Sequence, residues 1–366
     1  MGTVEARLRG AALVVAVVAA LVVSACTDSV TDRTDAGAGT TTTDGGTTTT
    51  GAGAETTTTA AGTTTTGAVT PPDGSGCGLT LTPGQTTVSL EFEDRTRVYE
   101  LVVPAGYDPA VPTPVVLNWH GLGSNGPDQL AFSEYPALAD REGFLVVAPT
   151  GVPMPGQALN SWELTDDDDP TRDDLAFAAA VLDHVIATTC VDEARVYTTG
   201  MSNGGYFSSR LVCEMSDRIA AAASVAGLTH PDDCLPSRPV PYLGFHGVLD
   251  EIVPYDGGGF SSLFPGVRVE LFEAVIPDEF AEFATGDGCG PVPVEQAVTG
   301  NVTTFIYPAC PEGVEAVFYR IADGGHTWPG SASSAAISEP AGLGRTNTEI
   351  NATELSWEFF SRHPLG

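Results

Sequence analysis

Ser202 is the residue in this chain whose surroundings best suit a nucleophile. It centres the stretch Gly200-Met-Ser-Asn-Gly204, a G-x-S-x-G pattern. A β-branched run, Val196-Tyr-Thr-Thr199, precedes it and a helix-like stretch from Tyr206 to Cys213 follows. Strand, sharp turn and helix together hold a serine at a tight bend with its hydroxyl exposed. Glycine at 200 and 204 makes room where a Cβ would strike neighbouring backbone. A serine hydroxyl is a weak nucleophile and needs a base, an acid to orient that base, and donors for an oxyanion. The chain order that accompanies this turn is Ser, then Asp, then His. Asp250 lies in Phe245-His-Gly-Val-Leu-Asp250-Glu-Ile-Val-Pro-Tyr255, just past a buried strand. His326 lies in the Gly-rich loop Ile321-Ala-Asp-Gly-Gly-His326-Thr-Trp-Pro-Gly330. Asp256 is the rival acid, further from the strand end, and Glu251 reads as solvated. His246 reads as packing beneath the site, and His184, His230 and His363 as structural. The oxyanion donors expected are the N–H of Asn203, directly after the serine, and that of Leu122, behind His120-Gly121.

Positioning these groups takes a sheet. Val88–Phe92 alternates apolar and polar, and Val98–Val103 follows a short turn, which predicts an antiparallel opening pair. Apolar strands are predicted over 115–120, 144–148, 221–225, 240–246 and 316–321. A helix is predicted behind Asp173 and Asp174, with Phe177, Val181 and Val185 on one face and the two acids serving its N-terminus. A closing helix carries Leu355, Trp357, Phe359 and Phe360. Strands alternating with helices predict an α/β domain, its mostly parallel sheet covered on both faces and its reactive groups at the strands' carboxyl ends.

Composition narrows the chemistry. The 366 residues carry a net charge of −32, and all 15 basic residues are arginine. Without lysine there is no Schiff base and no P-loop lysine. So acidic a chain repels phosphate backbones, which argues against nucleic-acid binding. No H-E-x-x-H or paired C-x-x-C pattern points to a metal.

Residues 1–25 read as a lipoprotein signal peptide: Arg7 and Arg9, an apolar run from Ala11 to Val23, then Val23-Ser-Ala-Cys26. Cys26 is the expected lipidation site. Residues 26–76 read as a disordered tether, with Thr quartets at 40–43, 47–50, 56–59 and 63–66. It would reach about 30–35 Å on average. Residues 77–366 form the expected catalytic domain. Six cysteines remain there, suiting three disulfides in an exported protein. Cys289 and Cys310 flank a short segment before the last strand, and Cys213 and Cys234 bracket the strand after the elbow helix. Elimination leaves Cys77 with Cys190.

Trp119-His-Gly, Gly200-Met-Ser-Asn-Gly-Gly205, His246-Gly-x-x-Asp250-x-x-Val-Pro-Tyr255 and Gly325-His-Thr-Trp-Pro-Gly330, taken together, resemble the secreted feruloyl esterase and polyhydroxybutyrate depolymerase family. These are α/β-hydrolases similar to carbohydrate esterase family 1, and the resemblance runs from about Cys77 to Gly366. It implies a triad of Ser202, Asp250 and His326, an acyl-enzyme intermediate, and no metal or organic cofactor. The substrate it implies is an ester of the cell exterior, first a hydroxycinnamoyl (feruloyl) ester of plant polysaccharide, with an aliphatic polyester as the alternative. A reading of another class is a catalytically inactive binding lipoprotein, which has no need of serine, acid and histidine in this order. His120, Trp162 and Trp328 are the candidates to line the substrate, with Trp162 as readily a packing residue and Trp328 a buttress for His326. The family often has Trp-Asn before its Asp-Asp helix; here Trp162 precedes Glu163 and the acidic run Asp166–Asp169, a solvated surface by its charge. The enzyme is expected to act as a monomer whose only membrane contact is the anchor, facing outward from a bacterial envelope.

A diacylglyceryl cysteine supplies enough acyl chains for stable anchoring. Cys26→Ser is therefore expected to move the protein from the membrane fraction to the soluble one, with hydrolysis of a soluble ester unchanged. Fractionation followed by immunoblotting checks it, and a mutant that stays with the membrane contradicts it.

Overall fold

The computed structural model describes residues 75–154, 156–164, 172–231, 234–258 and 273–366. The expected signal sequence, the expected lipidation site Cys26 and the expected Thr-rich tether lie outside these residues, as does the Asp166–Asp169 run. The chain opens with β1 (Gly84–Phe92) and β2 (Arg95–Val103), the expected antiparallel pair, each longer than the alternation alone suggested. Then come β3 (Thr113–Trp119), α1 (Gly126–Ser133), α2 (Tyr135–Glu142) and β4 (Leu145–Pro149). A small hairpin of β5 (Val152–Pro153) and β6 (Asn160–Ser161) precedes α3 (Asp174–Thr188). The central strand β7 (Val191–Met201) runs into α4 (Asn203–Glu214), followed by β8 (Ala221–Val225) and β9 (Tyr242–Gly247). The remaining elements are α5 (Ile276–Gly286), β10 (Val294–Ala297), β11 (Val302–Ile306), β12 (Ala316–Ile321), α6 (Ala332–Ser338) and α7 (Ala352–Ser361).

Ten strands form one sheet in the order β1-β2-β4-β3-β7-β8-β9-β12-β11-β10. The six from β4 to β12 pair in parallel, and an antiparallel pair closes each side. Side chains alternate between two cores. Val115, Leu117 and Trp119 join Phe177, Val181, Phe207 and Phe280 on one face. Val116, Val146 and Ala221 join Leu130, Tyr135, Phe359 and Phe360 on the other. Full burial on both faces explains why these strands read as continuous apolar runs. This is the α/β-hydrolase arrangement.

Several elements differ from the sequence reading. β9 starts at Tyr242 rather than Val240; Pro241 has no N–H to give a ladder. α4 starts at Asn203, not Tyr206, so the helix springs directly from the serine. The antiparallel pair β10 and β11 was not foreseen: β10 is exposed throughout and carries no periodic apolar signal. The disulfides are Cys77–Cys190, Cys213–Cys234 and Cys289–Cys310, the pairing expected.

Asp287 ends α5 and is only 5% exposed. Burial pushes its carboxyl up to about 7, against the Val240 backbone N–H and the Arg238 charge, which pull the other way. The folded state thus holds a proton on this group that the unfolded chain releases near pH 4. Its contribution to stability is complete below about pH 4 and is lost as pH rises through 7. Asp287→Asn is expected to be more stable than wild type at pH 8, by roughly 2–4 kcal/mol, with the gap closing towards pH 4. Urea unfolding at the two pH values measures it.

Candidate functional site

β7 delivers Ser202 to the carboxyl edge of the sheet. Its backbone is at φ 55° and ψ −122°, a conformation costly for a side chain larger than glycine's. Surrounding backbone imposes it: the Ser202 N–H donates to the Val225 carbonyl at 2.9 Å, and its own carbonyl accepts from Tyr206 at 3.0 Å. The neighbouring glycines are required by contact. A Cβ on Gly204 would lie 2.1 Å from the Trp119 carbonyl oxygen, and one on Gly200 would lie 2.3 Å from that of Gly204. Gly227, which sequence reasoning passed over, is as tightly placed: its Cβ would sit 2.3 Å from the Ser202 carbonyl oxygen.

Asp250 follows β9 and His326 follows β12, neighbouring parallel strands. The His326 Nδ1–H donates to Asp250 Oδ2 at 2.8 Å, with both side chains buried. The other carboxylate oxygen accepts the backbone N–H groups of Ile252 and Val253, each at 2.8 Å. Asp250 is thus fixed by the turn that follows it, and the ring proton is assigned to Nδ1, leaving Nε2 as an acceptor. Asp256 and Glu251 are exposed, so the rival acid is not the one that meets the histidine. His246 lies beneath, donating from Nε2 to the Val253 carbonyl at 2.9 Å, with Asp250 Oδ2 3.5 Å away. Burial lowers its pKa, partly countered by Asp250. The His326 loop is pinned from outside by its N–H to the Leu343 carbonyl at 2.7 Å. The other histidines have scaffold partners: His184 meets the Tyr99 hydroxyl, His230 packs on Phe283, and His363 faces Glu315.

Between β3 and α1, residues 120–125 pass beside the serine; a Cβ on Gly121 would lie 3.4 Å from that of Ser202. Gly151 donates its N–H to His120 Nε2 at 2.9 Å, which places the ring proton on Nδ1, facing the Gly121 carbonyl at 2.7 Å. Burial pushes the His120 pKa down to about 4, so this ring is neutral at neutral pH. Leu122 is 43% exposed at the rim. The same loop is stitched to β6: the Gly123 N–H donates to the Asn160 carbonyl at 2.7 Å, and Asn160 Nδ2 to that of Ser124 at 2.9 Å. Trp162 donates from Nε1 to the His120 carbonyl at 3.0 Å. Its backbone N–H and carbonyl pair with Oδ1 and Nδ2 of Asn203 at 2.7 and 3.2 Å.

Four residues have roles other than those expected. His120, Trp162 and Trp328 were candidates to line the substrate, yet they are 0%, 2% and 0% exposed. Trp162 stacks on Phe207 and meets Trp119 edge-on. Trp328 donates to Thr353 at 2.8 Å and receives support from Ser334 at its own N–H, tying the His326 loop to α7 and α6. All three are framework of the site, not walls of a pocket. Asp174 was expected to serve the α3 N-terminus, but only Asp173 caps it, accepting the Ala176 N–H at 2.7 Å. Asp174 is wholly buried between Arg97, at 2.7 Å, and Arg172, at 2.8 Å, and accepts the Glu163 N–H at 2.8 Å. Arg210 of α4 lies 3.7 Å from Glu163. Sequence reasoning missed this cluster; its only trace was an Asp-Asp pair, which a helix cap explains equally well.

The family described as the prolyl oligopeptidase family (Peptidase_S9) matches residues 130–233, from α1 to beyond β8. Feruloyl esterase C of Emericella nidulans is 29% identical over 296 residues, covering 78% of this chain and 90% of its own. Putative esterase NocK of Nocardia uniformis subsp. tsuyamanensis is 30% identical over 278 residues, 72% of this chain and 79% of its own. The chain belongs to the feruloyl-esterase-like family. Feruloyl esterase B of Piromyces equi is 30% identical over 229 residues, 61% of this chain, which spans only 41% of that longer protein. This chain is a serine carboxylic-ester hydrolase on the α/β-hydrolase fold.

Gly227 gives a direct test of how the elbow is held. Gly227→Ala drives a methyl into the Ser202 backbone and is expected to cost about 1–3 kcal/mol of stability. It should also lower kcat per active site by at least about tenfold, since small misplacements are costly to catalysis. Gly300→Ala, where a Cβ meets nothing within 4 Å, serves as the control and should match wild type. Urea midpoints and site-titrated kinetics decide.

Proposed function

We propose that this enzyme hydrolyses hydroxycinnamoyl esters of plant polysaccharide outside the cell, with Ser202 as nucleophile, His326 as base and Asp250 as the orienting acid. The observation that carries the mechanism is the buried 2.8 Å bond from His326 to Asp250 at the sheet edge to which β7 brings Ser202. Asp250 keeps the ring proton on Nδ1 and stabilises the imidazolium formed when Nε2 takes the serine proton. The serine oxygen then adds to the ester carbonyl, and the tetrahedral oxyanion is held by the N–H groups of Asn203 and Leu122. Collapse expels the alcohol, which takes the proton from His326. Water, activated by the same histidine, releases the acid from the acyl-enzyme. The substrate class is supported by the relatives named feruloyl esterase. An extracellular setting is supported by three disulfides and by the signal sequence read at residues 1–25. Lipid attachment at Cys26 would keep it at the cell surface.

Initial rates on methyl ferulate, p-nitrophenyl acetate, p-nitrophenyl butyrate and a polyhydroxybutyrate suspension test the substrate. Methyl ferulate should give the highest kcat/KM; preference for the polyester overturns the reading. Ser202→Ala is expected to lower kcat by about 10⁶ and Asp250→Asn by about 10⁴, on folded protein. Asp256→Asn should leave the rate within a few-fold. If it proves more damaging than Asp250→Asn, the assignment of the acid is wrong.

A further inference from the structure

The segment from Asn160 to Glu163 touches both loops that would supply the oxyanion donors. On one side the Asn203 amide clasps the Trp162 backbone with two hydrogen bonds, 2.7 and 3.2 Å long. On the other side the Trp162 indole holds the His120 carbonyl at 3.0 Å, and Asn160 bonds residues 123 and 124. The Trp162 ring is wedged between Trp119 and Phe207, with centroids 5.0 and 5.3 Å away, so its long axis has a fixed direction. Behind it, the Glu163 N–H is tied to the buried Asp174 carboxylate. The Asn203 side chain thus leads through a rigid indole to the peptide before Gly121. β3 and β7 set the coarse separation of the two loops, but these bonds span them directly at their tips.

We propose that Trp162 and the Asn203 side chain are positioning residues, forming a rigid spacer that sets the distance between the Asn203 and Leu122 N–H groups. The proposal rests on the mechanism above and adds to it a role for side chains that touch no substrate. A donor pair is useful only where its geometry matches the oxyanion rather than the flat carbonyl of the ground state. The spacer therefore acts on the transition state and leaves substrate binding alone. Trp162→Phe keeps an aromatic ring on Phe207 and deletes only the indole donor. Asn203→Ala deletes the clasp while keeping the backbone N–H.

The full-length enzyme is assayed with p-nitrophenyl acetate, and rates are normalised to sites titrated by a phosphonate. Both variants are expected to lose about 10- to 100-fold in kcat per site with KM within about twofold. The inhibition constant of an arylboronic acid, which forms a tetrahedral adduct on the serine, should rise by the same factor as kcat falls. The double variant should lose little more than the worse single one, because both residues belong to one path. Wild-type kcat in Trp162→Phe overturns the proposal. So does a loss of titratable sites with normal turnover in the remainder, a boronate affinity that does not follow kcat, or fully additive losses. Ser202→Ala run alongside separates the two levels: if it retains activity the mechanism itself fails, whereas a dead Ser202→Ala beside a normal Trp162→Phe removes only the spacer.

Discussion

One buried carboxylate, Asp174, gathers the charged groups that lie behind residues 160–163. It brings together Arg97 from β2, Arg172 from the approach to α3 and the backbone of Glu163, all out of water. The Arg97 guanidinium also lies 3.5 Å over the Phe177 ring, and burial lowers its pKa although Asp174 opposes the shift. Isolated, any of these charges would be expensive to bury; together they offset much of one another's desolvation. Breaking such a group by deleting one member leaves an uncompensated charge and typically costs about 3–5 kcal/mol. The cluster thus backs a stretch whose front is held by the short β5–β6 pair, the Asn203 clasp and the packed Trp162 ring.

A second constraint is the way the serine's unusual backbone is sustained. Positive φ at Ser202 recurs nearby at Ala226, with φ 51°, so the ends of two adjacent strands bend sharply side by side. Each bend is locked by a ladder-like bond to the next strand: Ser202 to Val225, and Ala226 to Phe245. The parallel sheet therefore holds the strain in series, each strand end restraining the one before it. Such strain persists because packing over-determines it.

The central strands were legible in the sequence because burial on both faces writes itself as uninterrupted Val, Leu and Ala runs. The elbow and the His326 loop were legible because each carries glycine beside a reactive side chain, and the elbow glycines answer to contacts of 2.1 and 2.3 Å. Asp250 was marked by its place just past a buried strand, with Asp256 as a rival. Residues 126–142 were harder to read, since two eight-residue helices are split by Glu134 in the left-handed region. Their start was nevertheless marked, by Asn125 capping Asp128 ahead of Pro127. The ion cluster was illegible for a deeper reason. Arg97, Glu163, Arg172 and Asp174 each look like surface residues in one dimension, and only the meeting of three segments buries them. Trp162 was equally ambiguous, since an aromatic in a loop reads the same whether it lines a pocket or fills a core.

The Cys77–Cys190 bridge fixes where the preceding chain joins the folded body. Cys190 is the residue before β7 and Ser202 the residue after it, so the two stand at opposite ends of an eleven-residue strand. β3 passes from Thr113, beside Val191, to Trp119, beside Gly200, so at about 3.3 Å per residue those two points of β7 lie roughly 20 Å apart. Gly76 is sewn to the same end by its N–H to the Ile186 carbonyl. Any surface that holds the protein by its amino-terminal portion would thus face the back of the sheet, leaving the reactive side turned away from the attachment point. A pulling force on the amino-terminal portion would enter through a covalent crosslink at the rear. It would dissipate in the Cys190 end of the sheet and reach the serine only through the full length of its most interior strand.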